Sequence, residues 1–133
     1  MKRILSLSLA VCLILSLTLL AGCGAAPLPD GLTQEGVTDA AAQTVAQLND
    51  KDYDALFAGM TDEMTAAMTA EDLAAAWEPA LEAAGAFDSI TKTTVGGKDG
   101  YGVAVVQAKY ANATVTFTLS YTPEGKLGGL FFK

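Results

Sequence analysis

The residue of this chain with the clearest covalent chemistry is Cys23, which ends the sequence Leu20-Ala21-Gly22-Cys23. Lys2 and Arg3 come first and are followed by a mainly apolar run from Ile4 to Leu20. A positive start, an apolar run and a small-residue ending are typical of a secretory signal peptide. As a helix the run would span roughly 26 Å, so an uncleaved transmembrane anchor is the alternative. Both interpretations place the rest of the chain outside the cytoplasm.

The ending of this leader resembles the lipobox of bacterial lipoproteins. The resemblance implies cleavage between Gly22 and Cys23 and a diacylglyceryl group on the Cys23 sulfur. It divides the chain into a signal peptide at residues 1–22 and a mature protein that begins at Cys23. We therefore expect a protein attached by lipid to the extracytoplasmic face of the cell membrane.

Cysteine and histidine chemistry is otherwise sparse in this chain. The other cysteine, Cys12, lies in the leader, and the sequence contains no histidine. Histidine is the usual partner of a serine or cysteine nucleophile and a common metal ligand. The composition therefore excludes histidine-dependent catalysis. We expect no metal site, no cofactor and no catalytic motif.

Charge is distributed unevenly along the mature chain, whose net charge without Lys2 and Arg3 is −9. Residues 23–85 carry twelve acidic side chains and one basic one, whereas residues 86–133 carry three acidic and five basic ones. Binding to nucleic acid requires basic side chains that contact phosphates, so we expect no nucleic-acid partner. The acidic half is typical of a solvated helical surface. Because an acidic surface is repelled by an anionic membrane, we expect the lipid alone to attach the protein.

The first residues after Cys23 lack apolar periodicity and are rich in Gly, Pro and small side chains. They predict a flexible tether over residues 23–37, long enough to hold the domain clear of the lipid head groups. A single domain over residues 38–133 follows.

Helical periodicity occupies the first part of this domain. Ala40, Ala41, Thr44, Val45 and Leu48 recur at helical spacing, and Thr38 or Asp39 is the expected cap. Further short helices are predicted on each side of Thr61. Thr69-Ala70-Glu71-Asp72 resembles a capping box and opens a helix that contains Pro79 and ends at Gly85.

After Gly85 the period changes to that of strands. In 113–121, apolar residues alternate with Thr and Ser, which predicts one buried face and one hydroxyl-lined face. Tyr101, Val103, Val105 and Gln107 alternate in the same way, and 87–95 and 126–132 are weaker strands. Gly-rich turns separate the strands. The sequence predicts an α+β fold, with N-terminal helices packed on a curved, four-stranded antiparallel sheet.

Several of these segments resemble a family of bacterial extracytoplasmic domains, catalogued as domain of unknown function 3887 and often found on lipoproteins. The resemblance rests on Lys51-Asp52-Tyr53-Asp54, Thr69 with Leu73 and Trp77, Gly85-Ala86-Phe87, and the closing run from Gly125 to Leu130. It implies a fold similar to the nuclear-transport-factor-2-like or cystatin-like cone. The resemblance implies no catalytic residues.

Two candidate sites follow from the side chains. An apolar pocket at the mouth of the cone is one hypothesis, against the alternative that the same side chains form the core. Its candidate residues are Tyr53, Phe57, Met64, Trp77 and Phe87. A buried carboxylate that acts as a base, such as Asp88, is the other hypothesis, with Glu78 and Glu82 nearby and solvation as the alternative.

Three functions remain open at this point. The first is a lipid-anchored, non-catalytic domain that binds a small apolar ligand or a protein partner. The second is a module that forms a homodimer or larger assembly through the hydroxyl-lined face of its sheet, namely Thr114, Thr116, Thr118, Ser120 and Thr122. The third is a minimal enzyme that uses a buried carboxylate.

Overall fold

Helices precede a sheet in this chain, as the computed structural model, which describes residues 26–133, shows. The helices are α1 (Gln34–Asn49), α2 (Tyr53–Ala58), α3 (Asp62–Ala67) and α4 (Ala70–Ala84). The strands are β1 (Phe87–Lys98), β2 (Tyr101–Tyr110), β3 (Thr114–Tyr121) and β4 (Leu127–Phe132). They form one antiparallel sheet in the order β1-β2-β3-β4. The predicted α+β class is confirmed.

Helix α1 begins earlier than the sequence predicted. The Thr33 hydroxyl accepts a hydrogen bond from the Gly36 amide at 3.0 Å and caps the helix. The predicted cap at Thr38 or Asp39 is wrong, because Val37 already lies in the first turn and is buried. Val37 extends the predicted apolar face by one turn, and Gly36 concealed this turn in the sequence.

The other helix ends follow the predicted chemistry. Thr61 caps α3 through the Met64 amide at 3.2 Å. Thr69 and Asp72 form the reciprocal capping box of α4, with both hydrogen bonds at 3.1 Å. The helix continues through Pro79 and ends at Gly85, whose φ of 84° suits a residue without a Cβ.

Pairing of β1 with β2 extends β1 beyond the predicted end at Val95, up to the pair Lys98 and Tyr101. A tight turn joins the two strands, with positive φ at Asp99 and Gly100. Two register shifts interrupt the other end of β1. Such bulges bend a strand and increase its twist.

The helices cover one face of the sheet, here called the inner face. On β3 the inner side chains are the predicted ones, Val115, Phe117, Leu119 and Tyr121. On β2 the inner side chains are Ala104, Val106, Ala108 and Tyr110. Val103 and Val105 therefore lie on the opposite face, and the alternation that began at Tyr101 marked the outer side of β2. Both series alternate, so period alone did not separate them.

Residues before α1 lie against the domain. Ala26 pairs with Gly97 as an isolated antiparallel bridge, and Leu28 and Leu32 pack against the core. Residues 26–32, here called the strap, therefore do not form the flexible tether predicted over 23–37. Leu28 and Leu32 bury apolar surface on the sheet. These two contacts were not predicted from the sequence, because the leucines lie among Gly and Pro residues that are typical of a tether. Residues 23–25 of that prediction lie outside the described residues.

Candidate functional site

The predicted lipidation and cleavage residues, Cys23 and Gly22, lie outside the described residues, as does the signal peptide. Within residues 26–133, no helix is both long and apolar enough to cross a membrane. Lipidation at Cys23 therefore stays a prediction of the sequence.

Trp77 is a core residue. Its side chain is fully buried, and its indole N–H donates a hydrogen bond to the Leu48 carbonyl at 2.7 Å. The ring packs edge-on against Tyr110 and Phe132 and lies at a tilt to Phe117, with centroids 5.2 to 6.5 Å apart. These aromatic contacts fill the space between α4 and the sheet. The prediction that Trp77 lines a pocket is wrong, and the core alternative holds for it.

The other four predicted pocket residues are not gathered around a cavity. The Tyr53 hydroxyl donates to Glu78 Oε1 at 3.1 Å, and burial together with Glu78 raises the pKa of Tyr53. Phe57 and Met64 are half-buried against the core. Phe87 is exposed and meets the edge of Tyr110. None of them lines any of the cavities described below.

Asp88 is not a buried base. Its side chain is 60% exposed and lies 3.8 Å from Lys109 Nζ, which is equally exposed. Glu82 is also exposed, and Glu78 is half-buried with Tyr53 as its partner. The prediction of a buried carboxylate at Asp88 is therefore wrong, and the solvated alternative describes it. The described residues also contain no group of three or more Asp, Glu, Cys or His side chains placed to hold a metal ion.

A small cleft of about 180 Å³ lies between α1, α2 and the ends of β3 and β4. Its lining residues are Ala40, Gln43, Thr44, Gln47, Ala55, Leu56, Gly59, Tyr121, Gly125 and Leu127. The hydroxyls of Thr44 and Tyr121 are hydrogen-bonded at 2.7 Å in its wall. Burial raises the pKa of Tyr121 to about 12, although the bond to Thr44 acts in the opposite sense. Tyr121 is thus a neutral hydrogen-bonding group at physiological pH, and the cleft is smaller than most ligand pockets.

The outer face of the sheet is the larger surface. Side chains of paired residues project from the same face, so register defines its rows. One row joins Thr94, Val105, Thr118 and Phe131 across all four strands. Phe131 is 62% exposed, while Val105 and Thr118 are half-buried among their neighbours. This row, in which Val105 and Phe131 alternate with two threonines, is here called the apolar band, and it crosses a sheet face that no helix covers in the described chain.

The neighbouring row of residues forms a shallow concavity in this face. Val103 and Ser120 lie at its centre, with Gly96 and Gly129 at its ends. Because glycine has no side chain, the surface is lower at these edges. An open concavity of about 500 Å³ results, lined by Lys98, Asp99, Tyr101, Val103, Val105, Thr118 and Ser120. Its volume falls within the usual range of ligand pockets, and Val103 and Val105 are the aliphatic part of its lining.

Lysines border the apolar band. The next row runs from Lys92 through Gln107 and Thr116 to Lys133, which exchanges backbone hydrogen bonds with Thr116. Lys98 lies at the turn end of the same face. Both row-end lysines are exposed. The outer face thus combines Val103, Val105 and Phe131 with lysines at its border and Asp99 beside Lys98, whereas the helical half of the chain is strongly acidic.

The sequence identified only half of this surface. The hydroxyl-lined face of β3 was predicted correctly, with Thr116, Thr118 and Ser120 half-buried on it. Its aliphatic centre was missed, because Val103 and Val105 were interpreted as inward-facing. The sizes of the side chains on β2 indicate which face is the inner one, because Ala104 and Ala108 are small enough to lie beneath a packed helix.

Comparison with known proteins agrees with this architecture. No curated protein sequence matches the chain. A solved structure described as "NMR structure of protein from Ruminococcus gnavus ATCC 29149" shares 25% identity and superposes with a TM-score of 0.69. The match covers 80% of this chain and 96% of that one. Residues 41–130 match the family described as "Protein of unknown function (DUF3887)". The chain therefore belongs to the DUF3887 family, which confirms the resemblance found in its sequence.

Proposed function

We propose that this protein is a non-catalytic binding domain, attached by lipid at Cys23 outside the cytoplasm, that binds a protein partner on the outer face of its sheet. The observation that carries the binding role is the uncovered apolar band from Thr94 to Phe131 with its lysine rim. Exposed apolar surface bordered by polar residues is typical of protein interaction sites. The attachment rests on the leader and on Leu20-Ala21-Gly22-Cys23.

The side-chain chemistry favours binding over catalysis. The chain has no histidine, and Asp88, the carboxylate considered as a base, is solvated and paired with Lys109. Tyr121, the hydroxyl in the cleft, is held neutral by burial. Recognition of a partner needs none of these groups to change its protonation state.

The charge of the outer face selects among partners. Lys92 and Lys133 are exposed, Lys98 lies beside Asp99, and Asp88 is paired with Lys109. A second copy bound face to face would add more lysines to the joint surface, and like charges disfavour association. A partner with aliphatic side chains at its centre and carboxylates around them fits better. A small apolar ligand in the 500 Å³ concavity is the second candidate, favoured by Val103 and Val105 in its lining.

A photo-crosslinking residue in place of Val105, in the full-length protein in its own membrane, tests the binding role. We expect one discrete protein adduct that is absent when the crosslinker replaces Glu71 on the helical side. Lys92→Glu together with Lys133→Glu should abolish the adduct, because the acidic rim of the partner would then be repelled. The protein-partner proposal would be rejected if no adduct formed, or if the adduct contained a second copy or a small molecule. An adduct that persists in the Lys92→Glu, Lys133→Glu variant would also reject it.

The lipid anchor has a separate test. Cys23→Ala should abolish incorporation of radiolabelled fatty acid and leave the uncleaved precursor in the membrane. Cys12→Ala is the matched control and should change neither result, because Cys12 lies within the leader. Labelling that persists in Cys23→Ala would reject the lipobox interpretation.

A further inference from the structure

The strap is fixed to one end of the sheet. The Gly97 amide donates a hydrogen bond to the Ala26 carbonyl at 2.8 Å. A Cβ atom on Gly97 would lie only 2.0 Å from the Pro27 carbonyl oxygen. Real Cβ atoms do not approach an oxygen so closely, so the strap and the end of β1 are in direct backbone contact at a position that requires glycine.

Two further contacts hold the strap at the same end. A Cβ atom on Gly102 would lie 2.7 Å from Leu32 Cδ1 and 3.3 Å from Leu28 Cδ2, so both leucines cover the start of β2. Gly31 lies against the Pro123 carbonyl in the β3–β4 turn. The strap therefore crosses from the β1–β2 turn to the β3–β4 turn, and these two turns share one end of the domain, here called the strap end.

The chain between the anchor residue and the strap is short. Only Gly24 and Ala25 separate Cys23 from Ala26. An extended chain spans at most about 3.6 Å per residue, so the Cα atoms of Cys23 and Ala26 lie within about 11 Å of each other. The head-group region of each leaflet is itself roughly 5 to 8 Å deep. A lipid on Cys23 therefore keeps the strap end within a few ångströms of the head groups.

We infer that the strap end docks on the lipid head groups and holds the strands upright on the membrane, an inference that rests on the proposed lipid anchor at Cys23. Strand β2 runs away from this end from Tyr101 to Tyr110. At about 3.3 Å per residue, the β2–β3 turn lies on the order of 30 Å farther from the membrane.

The surface of the strap end suits this position. Lys98 and Tyr101 are exposed beside the strap, and with it they line a shallow cavity of about 310 Å³. Lysine pairs with phosphate, and tyrosine favours the boundary between water and hydrocarbon. The same end also carries acidic side chains, namely Asp30, Glu35, Asp99 and Glu124. This surface has no net positive charge to bind a membrane alone, so the lipid provides attachment and the strap end provides orientation.

The orientation also affects the proposed binding face. Because the strands stand upright, the outer face of the sheet is perpendicular to the membrane plane. A partner held in the same membrane reaches the band from Thr94 to Phe131 from the side. The lysine row that ends at Lys92 and Lys133 lies beyond the band as seen from the strap end.

A matched pair of labels tests this orientation. The mature chain has no cysteine besides Cys23, so Glu124→Cys at the strap end and Lys109→Cys at the opposite end each give one thiol for a fluorophore and leave Lys98 and Tyr101 in place. The lipidated protein is reconstituted in phosphatidylethanolamine and phosphatidylglycerol vesicles that contain a head-group quencher. Quenching should be several times stronger at position 124 than at position 109. Equal quenching, or stronger quenching at 109, would overturn the inference.

A longer connection between Cys23 and the strap tests whether the short chain causes the orientation. About ten Gly and Ser residues inserted between Ala25 and Ala26 give a flexible tether, and the difference between the two labels should then largely disappear. An unchanged difference would overturn the argument from chain length. Fatty-acid labelling of each variant distinguishes the two proposals. Labelled protein with equal quenching rejects only the orientation, whereas unlabelled protein rejects the anchor and the orientation together.

Discussion

The two faces of the sheet use the same strands but different side chains. The inner face of β2 offers Ala104 and Ala108, which let the helices lie close, while its outer face carries the larger Val103 and Val105. The inner face is closed by Trp77 and its aromatic neighbours, and the outer face is open from Thr94 to Phe131. This contrast makes the outer face the surface on which to look for function and the inner face the one that maintains stability.

The largest expected effect is on the inner face. Trp77→Ala should lower the free energy of unfolding by about 3 to 5 kcal/mol, because it leaves a cavity among Tyr110, Phe117 and Phe132. It also removes the indole hydrogen bond to the Leu48 carbonyl, which then accepts only from the Lys51 amide. Urea unfolding followed by circular dichroism measures the change. A loss below about 1 kcal/mol would contradict a core role for Trp77.

Alkaline pH should affect the inner face through two tyrosines. Burial raises the pKa values of Tyr110 and Tyr121 to about 12, from 10.0 in the unfolded chain. The unfolded state therefore loses these protons first, and stability is full below about pH 10 and falls between about pH 10 and about pH 12. The loss is on the order of 2 kcal/mol for each tyrosine.

Thermal unfolding at several pH values from about 9 to about 11.5 tests this dependence. Tyr121→Phe is the control, since it removes one of the two groups and should make the decline shallower. A melting temperature that rises through this range, or an identical decline in Tyr121→Phe, would contradict the assignment.

A smaller effect is expected at the wall of the cleft. Thr44→Val leaves the buried Tyr121 hydroxyl without its partner and should cost about 1 to 2 kcal/mol. Thr44→Ser keeps the hydroxyl and is the matched control. The double variant Thr44→Val with Tyr121→Phe removes both partners, so it should cost less than the sum of the single variants. Strict additivity in denaturant unfolding would show that the two hydroxyls do not interact.

Local chemistry made much of this fold predictable. The capping box at Thr69 and Asp72, the cap at Thr61 and the stop at Gly85 act within a few residues, so the sequence alone identified them. The alternation on β3 was equally clear, because its two faces differ in polarity. These features depend on neighbours in the chain, which the sequence lists in order.

Features that depend on distant neighbours were not predictable. Leu28 and Leu32 lie among Gly and Pro residues, and only the start of β2 at Gly102 shows what they cover. Trp77, Phe57 and Phe87 look alike as pocket candidates in the sequence, but they differ in burial once the sheet is present. Both faces of β2 are apolar, so its orientation required the register with β3. The candidate binding face was missed for this last reason.

The smallest effect on stability is expected on the outer face. Phe131→Ala removes a ring that is mostly exposed, and the free energy of unfolding should change by about 0.5 kcal/mol or less. The same variant should weaken the proposed crosslink at Val105, because Phe131 and Val105 share one row with Thr118. Phe117→Ala, on the inner side of the same strand pair, should instead destabilise the fold by about 3 to 5 kcal/mol. Equal losses of stability from Phe131→Ala and Phe117→Ala would show that the outer face is part of the core. A crosslink unaffected in a stable Phe131→Ala protein would place the binding surface elsewhere.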